Sequence, residues 1–306
     1  MWGLEVFGFT ALFSPFFLLF MLFIAGSYWL LTGPQRGRFE GSAPVSVGKQ
    51  ITFYTACFLF YLVQGGPLEL LGHLMFTFHM VNMSISYILV PPLILLSVPD
   101  WMWRALFRKR FNPKTSPWMH PIFTAVLFNV LFSLYHLPNI HDVIMTNYAL
   151  HTAYYLVLLI ASFMMWWNVI CPVPEYNRLT ELRKMGYIFL NGLLLTPSCA
   201  LIIFAGEPMY AVYNNPQVWA DAMGYCVPGD PAELLKLFQN GPASVINLLP
   251  PLDDQQLGGV LMKLIQEFIY GAVLAYVFRQ WFKRESKEDE LPPGPLNRSP
   301  REGFQP

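Results

Sequence analysis

The chain has 306 residues, of which 55% are hydrophobic, 16% are aromatic and only 12% are charged, and its mean hydropathy is +0.41. This composition is too apolar for a soluble globular protein of this length and indicates a membrane protein. The formal net charge is zero, which gives no support for nucleic-acid binding. We therefore expect partners in the lipid bilayer or beside it.

Seven apolar segments are long enough to cross the hydrocarbon core as helices. They are Phe9–Leu31, Ile51–Leu70, His73–Val98, Pro121–Pro138, Tyr148–Ile170, Met185–Ala205 and Leu257–Trp281. Gly65, Gly66 and Pro67 interrupt the second segment, so we expect the chain to turn near Glu69 before the third span begins. The sequence predicts an all-α bundle of seven transmembrane helices.

The basic residues indicate how this bundle is oriented. Seventeen of the 19 lysines and arginines lie in four segments, at residues 36–49, 104–114, 178–184 and 279–301. With seven spans, these four segments share one side of the membrane, and basic residues accumulate on the cytoplasmic side. We therefore predict an N-terminus outside and a C-terminus in the cytoplasm.

The sequence divides into one membrane domain, residues 1–284, and a short tail. The outer loop at residues 207–256 contains large apolar residues such as Trp219 and Leu234, and we expect it to fold as a cap. The tail at residues 285–306 is charged and rich in proline with little to bury, which predicts disorder.

Five of the six histidines fall on the outer side of this topology, and only His120 is cytoplasmic. The five are His73, His79, His136, His141 and His151. A single histidine at a membrane interface often only hydrogen-bonds to a backbone carbonyl or a lipid headgroup. Five histidines from three predicted helices favour a shared binding site instead.

Two methionines strengthen the case for a metal. Met83 follows His79 by four residues and Met75 precedes it by four, so a continuous helix would place all three on one face. Thioether and imidazole groups together suit Cu(I) better than zinc, magnesium or calcium, although methionine at this spacing is also common in packing. The predicted metal ligands are His79, Met83, His136, His151, His73 and Met75.

The stretch PPLDDQQLGGVLMKLIQEFIYG opens the last span. Asp253 or Asp254 is suitably placed to cap the helix N-terminus, and Gly258–Gly259 permits close helix approach. Lys263 and Glu267 are four residues apart within the hydrocarbon, which predicts an ion pair with either a functional or a structural role.

The cysteines give no metal-binding pattern, since no two have CxxC spacing. Cys199 and Cys226 both fall in the outer half, where a disulfide is permitted. No nucleophile elbow, phosphate-binding glycine loop or pair of catalytic carboxylates is recognisable, so we do not expect an enzyme.

Four segments in this order resemble the CtaG family of cytochrome c oxidase assembly factors from Gram-positive bacteria. They are HMVNMSISYILVPPLILLSVP, HPIFTAVLFNVLFSLYHLPNIHD, ALHTAYYLVLLIASFMMWWNVICPVPE and DDQQLGGVLMKLIQE. The resemblance implies a seven-span protein of the bacterial plasma membrane that helps to mature haem–copper oxidases. It also implies delivery of Cu(I) to the copper B centre of oxidase subunit I. A donor protein at the outer face is a candidate partner that could load the ion.

The resemblance also implies which residues matter. His79, His136 and His151 match recurring histidines of the family, and Asp254 and Gln255 match its DQQ element. Many relatives carry a second histidine in an H-x-x-E-H pattern, whereas this chain has HTAYY, from His151 to Tyr155. Either His79 and Met83 therefore contribute more to the site here, or the subunits of a homodimer share it.

The sequence thus favours a metallochaperone that passes Cu(I) to its partner by ligand exchange. Three alternatives remain open at this stage. A copper importer would need polar positions that continue to the cytoplasmic side. A haem-handling protein could use His136 and His151 as axial ligands. A metal-free structural scaffold for assembly would need none of these ligands.

Overall fold

The computed structural model describes residues 4–107, 111–224, 231–245 and 248–289, and every regular element in these ranges is helical. The α-helices are α1 (Gly8–Phe13), α2 (Pro15–Thr32), α3 (Val47–Gln64), α4 (Pro67–Leu74), α5 (Phe76–Ser84), α6 (Val90–Ser97), α7 (Asp100–Phe107), α8 (Pro121–Tyr135), α9 (Pro138–Met145), α10 (Tyr148–Ile170), α11 (Glu181–Ile203), α12 (Ala211–Asn214), α13 (Pro216–Met223), α14 (Pro231–Leu237) and α15 (Pro251–Asp289). A π-helical turn, Ile85–Leu89, joins α5 to α6. The prediction of an all-α fold is confirmed.

Six helical stretches in the described residues are long and apolar enough to cross a membrane. They are Gly8–Thr32, Val47–Leu74, Phe76–Ser97, Tyr148–Ile170, Glu181–Ile203 and Pro251–Ser286. Helices α8 and α9 would form a seventh span if this pair, which is bent by 80°, crosses as one unit. The bend follows from Pro138, because the residue before a proline avoids helical backbone angles and Leu137 is extended. Seven spans and the outward N-terminus stay predictions.

The chain reverses direction at Met75, so the predicted turn near Glu69 is wrong. Gln64 Nε2 donates a 2.8 Å hydrogen bond to Ser86 Oγ, and Asn82 Nδ2 donates one of 2.6 Å to the carbonyl of Leu68. These contacts show that the chain from α5 into the π-helical turn runs antiparallel to α3 and α4, so α4 and α5 form a hairpin. The break after Gln64 does not end the span, because Pro67 lies in the first turn of α4, where its missing N–H is not needed.

Contacts of arginine side chains define one end of the bundle, which we call the basic end. Arg104 Nε lies 2.6 Å from Glu175 Oε1, and Arg284 Nη1 lies 2.7 Å from Glu181 Oε2. Arg178 donates to two backbone carbonyls in the segment between α7 and α8. Arginines of three of the four basic segments therefore make contacts at this end.

The opposite end, which we call the histidine end, lies beneath short helices. Helices α12, α13 and α14 belong to the loop at residues 207–256. Two of these helices pack with the N-terminal segment against the hairpin of α4 and α5. The shared apolar cluster includes Phe7, Leu71, Leu74, Met75, Trp219 and Leu234. At the basic end α15 continues to Asp289, past the predicted start of the tail, and residues 290–306 lie outside the described residues.

Helix α15 packs between α5 and α11, and its two adjacent glycines make this possible. A Cβ atom at Gly258 would lie 2.9 Å from Phe76 Cδ1, and one at Gly259 would lie 2.8 Å from Ile202 Cγ2. Both distances are too short for any larger residue without movement. The predicted close helix approach at Gly258–Gly259 is therefore confirmed, and it brings α15 against the helix that carries His79.

Candidate metal site at the histidine end

Side chains of the cap helices hydrogen-bond to the chain at the break between α4 and α5. A helix C-terminus leaves carbonyl groups without intrahelical partners. At the end of α4, the Tyr213 hydroxyl donates a 2.7 Å hydrogen bond to the carbonyl of Gly72, and Trp219 Nε1 donates one of 3.2 Å to the carbonyl of His73. The cap thus fixes the position of the helix end on which His73 lies.

At the start of α5, Asp254 provides hydrogen-bond acceptors for the backbone N–H groups. Its Oδ2 accepts a 2.7 Å hydrogen bond from the backbone N–H of Phe76, and its Oδ1 accepts one of 3.2 Å from Thr77. Asp254 therefore does not cap its own helix, since its carboxylate serves a helix 177 residues away in sequence. The alternative that Asp253 caps α15 stays a prediction. A negative charge at this N-terminus also complements the helix dipole. Asp254 therefore positions the helix that presents His79 and Met83.

Gln255 connects the start of α15 to the other side of the site. Its Oε1 accepts a 2.8 Å hydrogen bond from the backbone N–H of Met209, and its Nε2 donates one of 3.4 Å to the carbonyl of Ile202. The DQQ element matched by Asp254 and Gln255 thus holds α5, α11 and the cap together. These hydrogen bonds give the DQQ element a structural role. They do not identify either residue as a metal ligand.

Four of the six predicted ligands line one narrow cavity between α3, the α4–α5 hairpin and α10. They are His73, His79, Met83 and His151. The cavity has a free volume of about 20 Å³, which is enough for one water molecule or one ion. Glu69 also lines it, with Oε1 3.9 Å from His73 Nε2 and with 27% of its side chain exposed. The hairpin at Met75 creates this arrangement by bringing residues of two helices to the same space.

His141, which the sequence analysis did not include among the ligands, lies beside His79. The two ring centres are 5.2 Å apart with planes at 88°, and His141 is fully buried. Its Nε2 has no hydrogen-bond partner among the described residues, and its Nδ1 lies 3.5 Å from Asp142 Oδ1. The carboxylate of Asp142 in turn accepts bonds from the backbone N–H groups of Ala211 and Val212 at the start of α12. The signal for this histidine in the sequence is that His141 is followed directly by Asp142.

His136 lies behind the aromatic ring of Tyr135 and does not line the cavity. The Tyr135 ring centre is 5.2 Å from that of His136 and 5.6 Å from that of His79. His136 Nδ1 lies 2.6 Å from the carbonyl of Phe132, which can only accept, so Nδ1 carries the proton. Its Nε2 then carries a lone pair and has no partner in the described structure. This is the arrangement in which a second hydrogen bond prepares a histidine to bind a metal.

Met75 does not share a helical face with His79, which corrects the spacing argument. It is the residue between the two helices, with extended backbone angles of φ −139° and ψ 131°. Its side chain belongs to the apolar cluster with Leu71, Leu74 and Trp219. The structure therefore places Met75 in packing beneath the cap rather than at the cavity.

The donor atoms are compatible with a soft metal ion held by few ligands. His79 Nε2, like those of His136 and His141, is buried without a partner in the described residues, and such atoms require an explanation. Two imidazoles bound to one metal at about 2.0 Å place their ring centres about 5–6 Å apart, which the His79–His141 distance satisfies. No group of three or more His, Cys, Asp or Glu in the described ranges is arranged to hold a metal. Met83 lines the cavity with His79, whereas His141 is not among its lining residues. Imidazole and thioether donors suit Cu(I) better than they suit zinc.

Tyr155 occupies the position where the resemblance places a second histidine. It lines the cavity, and its ring centre lies 4.0 Å from that of His151. Its hydroxyl is 2.9 Å from the hydroxyl of Tyr135. A phenol thus stands where relatives supply an imidazole, at the wall of the same cavity.

Two further predictions concern residues outside the cavity. Lys263 Nζ lies 2.6 Å from Glu267 Oε1, which confirms the ion pair. Cys199 is buried in α11 and Cys226 lies outside the described residues, so the disulfide between them stays a prediction.

Comparison with known proteins identifies a family for most of the chain. The family model of the cytochrome c oxidase caa3 assembly factors, Caa3_CtaG, matches residues 26–284. No curated protein and no solved structure matches the chain. The family match includes the α4–α5 hairpin, the bend between α8 and α9, and the DQQ element. The resemblance inferred from the four sequence segments is confirmed.

Proposed function

Because the chain belongs to the cytochrome c oxidase caa3 assembly factors, we propose that it binds Cu(I) at the histidine end and delivers it to an oxidase. The acceptor in this proposal is the copper B centre of subunit I. The observation that carries the proposal is the grouping of His79 with Met83 at one small cavity and with His141 at a ring distance of 5.2 Å. The chain acts as a metallochaperone and catalyses no reaction.

The proposed transfer is an exchange of ligands. The imidazole of His79 and the thioether of Met83 hold the ion, and His73 and His151 offer further imidazoles at the same cavity. His141 does not line the cavity and offers another imidazole beside His79. Ligands of the docked oxidase subunit replace these groups one at a time, so the ion never enters the hydrocarbon without ligands. Soft and borderline donors favour the reduced ion at each stage.

The proposal requires the histidine end to face outward, as the distribution of basic residues predicts. A donor protein at the outer face of the bacterial plasma membrane would then load the site. Glu69 marks the side of entry, because it lines the cavity, is partly exposed and lies beside His73. Its carboxylate can attract the cation before the imidazoles bind it.

Two alternatives from the sequence receive less support. Haem needs far more room than the cavity of about 20 Å³ offers, since small-molecule sites usually occupy about 300 Å³ or more. A copper channel would need open polar positions toward the basic end. Buried polar side chains do occur there, but they bond to one another, as Asn129 Nδ2 does to Asn191 Oδ1 at 2.8 Å. They serve to hold α8 against α11.

The decisive experiment measures copper bound per protein after loading under reducing conditions. We expect His79→Leu and Met83→Leu to fold and to lose copper affinity, because leucine preserves apolar volume but cannot bind the ion. The matched control is His120→Leu, since His120 is exposed and precedes α8 at the basic end. Unchanged copper in both cavity variants, or equal binding of zinc and copper by the wild type, would overturn the proposal.

Cells that express these variants separate the chaperone from a metal-free scaffold. A chaperone defect should leave an oxidase that retains its haems and lacks copper at its catalytic centre, with partial rescue by added copper. A scaffold defect should lower the amount of assembled oxidase whether or not copper is added. Haem spectra and copper analysis of the isolated oxidase distinguish the two outcomes.

A further inference from the structure

A groove runs along the outside of the bundle between α11 and α15. We call it the α11–α15 groove. It has a volume of about 260 Å³, and small or charged residues form part of its wall. These residues are Gly192, Thr196, Lys263, Glu267 and Gly271. The remaining lining is apolar except for the hydroxyl of Tyr270, a buried residue, and this hydroxyl has no hydrogen-bond partner among the described residues.

The two side chains of the ion pair in this groove differ in their number of hydrogen-bond partners. Lys263 Nζ has three partners for its three protons, namely Glu267 Oε1 at 2.6 Å, Thr196 Oγ1 at 3.0 Å and Gln266 Oε1 at 3.3 Å. Glu267 has only Lys263 as a partner among the described residues, and 57% of its side chain is exposed. An ionised carboxylate accepts several hydrogen bonds, and lipid chains donate none. Lys263 is thus the only donor that reaches Glu267 in the described structure, and an ionised carboxylate can accept further hydrogen bonds.

The shape of the groove leaves space that no part of the described chain fills. A Cβ atom at Gly271 would meet no atom within 4 Å, so packing inside the chain does not require glycine there. A Cβ atom at Gly192 would lie 3.4 Å from Gln266 Nε2, so this second glycine does serve internal packing. Small residues on a membrane helix surface allow another helix to approach closely. Gly271 is thus available for contact with a partner.

We propose that the α11–α15 groove docks one transmembrane helix of the oxidase subunit under assembly. That helix presents a small residue to Gly271 and a side-chain donor to Glu267. The identity of the partner rests on the proposed function, while the need for a donor rests on the ion pair itself. Because α15 also packs against α5, the docked helix lies one helix away from His79.

Other occupants fit the groove less well. A lipid chain would fill the space but leave Glu267 with Lys263 as its only donor and the Tyr270 hydroxyl without a partner. A second copy of this chain in a two-fold dimer would place groove against groove, since such interfaces join identical surfaces. Two concave surfaces leave a void, whereas a single convex helix fills one groove.

The test uses a substitution that fills open space. In the full-length protein, Gly271→Phe should fold normally and lower the amount of co-purifying oxidase subunit at least about tenfold, which corresponds to about 1.4 kcal/mol. Gly26→Phe in α2 is the matched control, because Gly26 is also exposed and also has nothing within 4 Å of a Cβ atom. We expect it to leave co-purification unchanged. Equal co-purification for both variants and the wild type would overturn the proposal.

A photoreactive residue at position 271 identifies the occupant directly in membranes and does not depend on the bulky variant. We expect cross-links to a transmembrane peptide of the oxidase subunit, and fewer cross-links when Glu267→Gln removes the charge. Cross-links only to lipid or only to a second copy would overturn the proposal. Copper binding by purified Gly271→Phe should equal that of wild type. Failure of copper binding in the wild type would thus defeat the proposed function while leaving the docking result intact.

Discussion

The carboxylate of Asp254 accepts a 2.7 Å hydrogen bond from the backbone N–H of Phe76, and this contact joins the start of α15 to the start of α5. The two residues are far apart in sequence, yet Asp254 fixes the start of the helix that carries His79. The bond also explains how the chain can reverse at Met75 without glycine or proline there. A charged acceptor satisfies an N–H that the helix itself leaves free.

Removal of this carboxylate should loosen the candidate site. We expect Asp254→Ala to lower the free energy of unfolding by about 1–2 kcal/mol, the usual cost of a lost N-cap, and to weaken copper binding. Asp254→Asn should be milder because one acceptor oxygen remains. Asp253→Asn is the control, since Asp253 is exposed. Thermal unfolding in detergent with a copper titration checks this, and equal effects at both positions would contradict it.

The orientation of the bundle can be tested with reporters that are active only outside the cell. A reporter inserted near Asp221 should be active, and one fused after Lys287 should be silent. Asp221 lies in α13 of the cap, whereas α15 reaches the basic end before Lys287. The opposite pattern would place the histidine end in the cytoplasm and contradict loading from outside.

The ion pair in α15 predicts that each single substitution reduces the amount of folded protein more than the double substitution does. Lys263→Ala and Glu267→Ala should each reduce the amount of folded protein in membranes more than the double variant does, because a single unpaired charge within hydrocarbon costs more than none. Quantitative blotting of membrane fractions measures this. If depletion in the double variant equals the sum of the single effects, the two side chains are not coupled.

The contact between Arg104 and Glu175 at the basic end predicts a dependence on pH. Hydrogen bonds from Arg104 lower the pKa of Glu175 from its ordinary value. Because the folded state has the lower pKa, this stabilisation is complete above about pH 4.3, the ordinary value for glutamate, and is lost as the pH falls through the depressed value.

Both side chains are nearly half exposed, so the contribution of the pair should stay below about 1 kcal/mol. We expect Glu175→Gln to be less stable than wild type at pH 7 and this difference to be smaller at acidic pH, because the contribution is lost as the pH falls through the lowered pKa of Glu175. Chemical unfolding at pH 7 and at acidic pH measures the difference. A stability loss that is the same at both would show that this carboxylate does not account for it.

Much of the fold follows from the sequence because long apolar runs have few alternatives in a membrane. The predicted spans from Tyr148 to Ile170 and from Met185 to Ala205 nearly coincide with α10 and α11. The turn at Met75 was missed because its cause is not local. Gly65, Gly66 and Pro67 carry the stronger local signal, while the partners that permit the reversal, Tyr213, Trp219 and Asp254, are distant in sequence.

The candidate site was predictable in its residue types more than in its geometry. His79 and Met83 share a helical face, which spacing alone indicates. The contact of His79 with His141 requires both the hairpin at Met75 and the 80° bend before α9, and no sequence period encodes either. For Met75, spacing alone gave a wrong prediction. Met75 is four residues before His79, but it lies at the break before the helix, so the two side chains do not share a helical face.

The last prediction concerns Tyr155, which stands where the resemblance places a second histidine. We expect Tyr155→His to raise the affinity for zinc at least about tenfold, or about 1.4 kcal/mol, because the cavity gains a borderline nitrogen ligand four residues after His151. The same change should lower stability by about 1 kcal/mol, since the hydrogen bond to the Tyr135 hydroxyl is lost. Tyr154→His is the matched control, as the Tyr154 hydroxyl donates to the carbonyl of Leu131 and does not line the cavity. Competition with a zinc chelator measures the affinity. A gain of zinc affinity in both variants, or in neither, would show that position 155 does not face the metal.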